Sequence, residues 1–179
     1  MFKTIAIIAA VVIVLFIAVV LVLASNKPDT FRVQRQTTVQ APPEKIFALI
    51  NDYKQWAAWS PWEKKDLAMK RSYSGPATGK GSTYAWESKE VGVGDMLITE
   101  SVPSSLINID LNFSKPFEAH NKVVFSLQPQ PGGSTVVSWE MQGPAPLLSK
   151  VMQVFFSMDK MVGKDFEAGL ADLKAAAEK

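Results

Sequence analysis

The stretch Ala41–Trp62, APPEKIFALINDYKQWAAWSPW, decides how the chain around it is read. Pro42 and Pro43 fit at the start of a helix, where the first N–H groups have no carbonyl to reach. Ile46, Phe47, Leu49 and Ile50 then recur at spacings of three and four, which makes one helix face. The pattern breaks near Asn51-Asp52, so the stretch is expected to hold two short helices. Three tryptophans, Trp56, Trp59 and Trp62, close it at intervals of three. Trp buries a large area and fills a core well. Three such rings in one short segment also suit the wall or lid of a cavity, and both readings stand at this point.

Upstream, Phe31 to Gln40 alternates large and polar residues and is rich in Val and Thr, as in a strand. Downstream come strand patterns at Lys70 to Ser74, Ser82 to Lys89, Asp95 to Ser101, Leu106 to Phe113, Phe117 to Gln128 and Ser134 to Met141. Turns at Gly75-Pro76, Gly79-Lys80-Gly81, Val91-Gly92-Val93-Gly94 and Pro131-Gly132-Gly133 punctuate them. The clearest strand sets Ile107, Ile109, Leu111 and Phe113 against Asn108, Asp110 and Asn112, giving one dry face and one wet face. After Gly143-Pro144-Ala145-Pro146 the period changes. Leu148, Val151, Phe155, Met158, Val162, Phe166, Gly169 and Leu173 follow helical spacing, which predicts one long amphipathic helix of about 30 residues. Strands joined by short turns form an antiparallel sheet, and its apolar face needs a cover that only this helix is long enough to supply.

That order, together with APPEKIFALINDYKQWAAWSPW, the central YAWESKEVGVGDMLITESVP, and FSKPFEAHNKVVFSLQP followed by GGSTVVSWEMQG, resembles the START-like helix-grip superfamily in its polyketide cyclase/dehydrase-like branch. The likeness runs from about Phe31 to Ala177. It implies an α+β helix-grip fold: a curved antiparallel sheet of six or seven strands wrapped on a long C-terminal helix, with two short helices after the first strand. It also implies a deep apolar cavity for a hydrophobic or amphipathic small molecule. The superfamily has no universal catalytic residues, so none is carried over.

Ahead of the domain, Ile5 to Ala24 is an unbroken apolar run, as long as the roughly 20 residues a helix needs to cross a bilayer. A signal peptide competes, since Val22-Leu23-Ala24 resembles a cleavage pattern, but signal-peptide apolar regions are about 7–15 residues long. The expectation is therefore an uncleaved transmembrane anchor over residues 1–24, a polar linker over 25–30 and a ligand-binding domain over 31–179. No Cys follows the run, which excludes a lipoprotein anchor, a disulfide framework and thiolate chemistry. Charge near the run is sparse: Lys3 before it, then Lys27, Arg32 and Arg35, offset in part by Asp29. The positive-inside bias is weak, and the short N-terminal tail is the feature that points the domain to the extracytoplasmic side. Net charge is +2 with no basic run, so there is no footprint for nucleic acid.

His120 is the single histidine, which rules out multi-His metal sites, and alternation puts it on the wet face, away from any triad inside the cavity. Ser157-Met158-Asp159-Lys160 has S-x-x-K spacing without its companion motifs, a chance match on a helix. Gly79-x-Gly81 and Gly92-x-Gly94 lack both the third glycine and the following helix of a phosphate loop. The Asn112-Phe113-Ser114 sequon lies inside a strand pattern. Among the carboxylates, Glu87 should face away from Trp86, while Glu100 runs in phase with Met96 and Ile98 and becomes the one candidate polar group facing inward. Leu147 to Phe156 is apolar on nearly all sides, more than core packing requires, and suits a cavity mouth, a bilayer contact or a protein interface.

The residues assigned to ligand binding are Trp56, Trp59, Trp62, Tyr84, Trp86, Met96, Ile98, Glu100, Phe113, Phe117, Trp139, Met152, Phe155 and Met158. The expected function is membrane-anchored binding of a hydrophobic or lipid-like molecule without turnover, with no metal, no cofactor and no assigned protein partner. A cyclase or dehydratase using the same cavity is one alternative. An interaction module with a collapsed cavity is the other.

Overall fold

Alternation in the strand segments becomes a seven-stranded antiparallel sheet in the structure, a computed structural model that describes residues 2–179. The elements are α1 (Phe2–Ser25), β1 (Thr30–Val39), α2 (Pro43–Asn51), two 3₁₀ turns (Tyr53–Ala58 and Pro61–Lys64), β2 (Lys70–Ser74), β3 (Thr83–Glu87), β4 (Val93–Val102), β5 (Leu106–Lys115), β6 (Ala119–Pro129), β7 (Thr135–Pro144), α3 (Leu147–Phe155) and α4 (Met158–Ala177). Strand order is β1-β7-β6-β5-β4-β3-β2, so the meander β2–β7 runs without a crossover and β1 pairs with β7. This is the helix-grip architecture.

The buried face takes Ile107 and Ile109 from β5, Val123, Phe125 and Leu127 from β6, and Val137, Trp139 and Met141 from β7. Phe166, Leu170, Leu173 and Ala177 of α4 cover one end of it. The Trp139 ring stacks on Phe166 at 4.2 Å between centroids, and Gly169 lets the helix pass close over Trp139 and Pro61. Arg35 on β1 fixes the start of α4 through Asp159 at 2.8 Å and Glu167 at 2.7 Å.

The Ala41–Trp62 stretch closes that same end. Ile46 and Ile50 of α2 are fully buried, and Asp52 starts the first 3₁₀ turn by accepting the Lys54 N–H. The last carbonyls of a helix have no intrahelical donor. Here two indoles serve α2: Trp56 Nε1 donates to the Ile50 carbonyl at 2.8 Å and Trp59 Nε1 to that of Leu49 at 3.0 Å. These rings therefore cap a helix as well as fill space.

Two sequence expectations are corrected. The single long C-terminal helix is two helices, because the chain turns extended at Phe156 and restarts at Ser157, whose Oγ accepts the Lys160 N–H. The S-x-x-K spacing is thus a helix N-cap. On β4, the pairing steps from Ile98↔Ile109 to Glu100↔Asn108, a bulge that reverses the facing of Glu100 and the end of the strand.

Register places the chain ends of several elements together. The start of β1, the β3–β4 and β5–β6 turns and the end of β7 share one edge of the sheet. α1, long and apolar enough for a membrane span or a signal sequence, leads into that edge, and its last turns pack against α3.

Candidate functional site

Between the sheet, the second 3₁₀ turn and the pair α3–α4 lies a cavity of about 650 Å³. This is within the range of pockets that hold drug-sized molecules, about 300–1,000 Å³. α4 covers only the β1–β7 side and the Trp segment fills the floor, so the curved sheet holds space at the edge where β1 begins.

The sequence placed fourteen residues here, and ten of them line the space. Trp56 and Trp62 come from the 3₁₀ turns, Tyr84 and Trp86 from β3, and Met96 from β4. Phe113 lies near the end of β5, Phe117 stands in the turn after it, and Trp139 is on β7. Met152 and Met158 come from α3 and α4. Four are elsewhere. Trp59 and Ile98 are fully buried in the core beneath the cavity. Phe155 points out to solvent from the far side of α3. Glu100 lies past the β4 bulge, exposed, and accepts from Asn108 Nδ2 at 2.6 Å.

The charged group buried in the lining is Glu63, to which the sequence pattern assigned no role. Its Oε2 accepts from Arg71 Nε at 2.6 Å and its Oε1 from the Tyr84 hydroxyl at 2.5 Å. The Arg71 guanidinium in turn donates to the Met69 carbonyl. Hydrogen bonding to Glu63 pushes the Arg71 pKa up. Burial, and then the carboxylate, push the Tyr84 phenol well above its ordinary range. Glu63 follows Trp62 and precedes Lys64-Lys65, so in sequence it looks like part of a solvated charge cluster. Its partner eight residues on becomes visible only when β2 pairs with β3. Trp139 Nε1 is also buried and finds no acceptor in the protein among the described residues.

Further lining residues that the sequence did not assign are Phe31, Val123, Met141, Val162 and Phe166. The last four stand on the inward phases of their strands and helix, so the signal was present and unassigned. His120 stands at the rim, exposed, bonded to Asn112 and Glu118.

On the α3–α4 side the mouth is apolar, while Glu118 and His120 stand at the rim beside Phe117. Leu148 and Met152 of α3, Phe156 just beyond it and Met161 of α4 line the opening while being about half exposed or more. Phe117 faces them from the β5–β6 turn, 61% exposed.

A family model described as "Polyketide cyclase / dehydrase and lipid transport" matches residues 30–178. No curated protein matches in sequence. Among solved structures, protein CV1439 from Chromobacterium violaceum is similar over 85% of this chain and 99% of its own, at 18% identity and TM-score 0.58. The hypothetical protein jhp0584 from Helicobacter pylori is similar over 85% of this chain and 90% of its own, at 10% identity and TM-score 0.60. The di-domain ARO/CYC protein BexL, from the BE-7585A biosynthetic pathway, matches 88% of this chain with 53% of its own, at 15% identity and TM-score 0.60. At these identities the structures speak for the fold alone.

Proposed function

Because the chain belongs to the polyketide cyclase/dehydrase and lipid transport family, we propose that it is a membrane-anchored protein that binds one hydrophobic, lipid-like molecule in its cavity and does not transform it. The observation that carries this reading is an open apolar cavity of about 650 Å³ walled by aromatic and Met side chains. Met adapts to varied apolar shapes, and the aromatics supply area. The carboxylate buried in the lining is already held by Arg71 and Tyr84, so it anchors the wall. In this reading α1 stays attached as a single span, the domain lies on the extracytoplasmic side, and no metal or cofactor takes part.

The test is native mass spectrometry of the full chain extracted in mild detergent, beside a Leu111→Trp variant that fills the cavity from β5. The wild type is expected to carry one lipid-like mass per chain, and the variant to retain at most a tenth of it. A wild type that neither carries such a mass nor takes up an added fluorescent fatty acid overturns the binding reading. Alkaline extraction that frees the protein from its membrane, or a mature chain starting at Ser25, overturns the anchor.

A further inference from the structure

We infer that α3 and the rim of the cavity rest in the surface of the bilayer that α1 crosses, so that the cavity opens onto the lipid leaflet and not onto water. The inference rests on the anchored reading of α1.

Three observations fix the geometry. The first is reach. α1 ends at Ser25 and β1 begins at Thr30, so the four residues between them span at most about 14 Å. β1 begins on the edge of the sheet that carries the mouth, which therefore cannot stand far from the membrane.

The second is that this short connection is held. The Asp29 carbonyl accepts the Ala145 N–H at 2.7 Å, just ahead of α3, and its carboxylate pairs with Lys150 on α3. Val20 and Ala24 of α1 are buried where α1 packs against α3. From Val20 to the end of α1 is about 7–8 Å along the helix axis. An interfacial helix buries its apolar face to a depth of about 5–10 Å, so α3 lies at the level such a helix occupies.

The third is composition. α3 carries one charged residue, Lys150, and that charge is committed to Asp29. Leu147, Leu148, Met152 and Phe155 of α3, a helix with no buried residue, and Phe156 just beyond it are all about half exposed or more. Outside α1, most of the exposed large apolar side chains gather here and at Phe117 and Met161 of the same rim. A patch of that kind marks a contact surface, and the partner that the anchor places against it is lipid.

The chain has no Cys, so single-cysteine probes can be placed without background. Ile13→Cys in mid-α1, Phe156→Cys at the mouth and Gln130→Cys in the β6–β7 turn at the opposite edge are made in the full chain. Each is labelled with the fluorophore NBD and put into phosphatidylcholine/phosphatidylglycerol nanodiscs, one chain per disc. All three side chains are exposed, so the labels disturb no packing. The expected result is deep quenching of the Ile13 probe by chain-end doxyl lipid. The Phe156 probe should be quenched several-fold more by shallow doxyl lipid than by aqueous iodide, and the Gln130 probe by iodide alone. A Phe156 probe open to iodide beside a deep Ile13 probe overturns the docking and leaves the anchor standing. One shielded from both quenchers also overturns the docking, in favour of a protein cover. An Ile13 probe in water overturns anchor and docking together.

Discussion

At the scale of single residues, the site turns on Glu63. Removing its cation leaves a carboxylate in a wall of Trp56, Trp62, Tyr84 and Trp86. Breaking one partner out of a buried ion pair costs about 3–5 kcal/mol. Arg71 is 26% exposed at its side chain, so Arg71→Ala is expected near the lower figure, read as a fall in the urea midpoint of the detergent-extracted chain. A loss within about 0.5 kcal/mol, the usual cost of a surface substitution, would show that the pair carries no weight. Glu100 and Glu63 show why inward carboxylates were hard to read from the sequence. Period two puts Glu100 with Ile98, and a bulge, which no local pattern announces, turns it outward. Glu63 sits in a 3₁₀ turn that has no strand or helix period, so its burial is decided by distant strands.

At the scale of elements, the helical cover has two weak joints. The break between α3 and α4 depends on Ser157, whose hydroxyl accepts the Lys160 N–H. Loss of such a cap costs about 1 kcal/mol, so Ser157→Ala should lower stability by that much in urea unfolding. No change would mean that the Arg35 contacts alone hold the start of α4. The other joint is Gly169. A methyl there would stand 2.8 Å from Cζ3 of Trp139 and 2.9 Å from Cδ of Pro61, both rigid neighbours. Overpacking costs about 1–3 kcal/mol, against about 1 kcal/mol gained in helix propensity. Gly169→Ala should therefore be destabilising by up to about 2 kcal/mol, and a stabilised variant would mean that α4 is free to lift. The elements themselves were largely legible. Alternation marked the strands, and spacings of three and four marked α2 and α4. The break was not, because Phe155 and Met158 keep helical spacing across Phe156 and Ser157 while the backbone does not.

At the scale of the whole molecule, ion pairs tie the first strand and its approach to the last elements. Asp29 is held below its usual pKa by Lys150, Glu140 by Arg32, and Asp159 by Arg35, while Glu178 is held low by the Gln40 N–H and then Lys174. A carboxylate with a depressed folded pKa adds stability above its unfolded value, near 4, and loses it as pH falls through the folded one. The urea midpoint should thus stay level from about pH 7 to 5 and fall below about 4; a rise on acidification would contradict these pairings. The sheet and its cavity could be anticipated from period and resemblance. The edge on which the cavity opens could not, because that depends on register. The same register bears on traffic. The segment 26–29 is too short to let the domain swing across an aqueous gap. Under the anchored reading the protein is therefore a fixed station and no shuttle: cargo changes hands where it stands, and delivery to a second membrane needs a separate, diffusing acceptor.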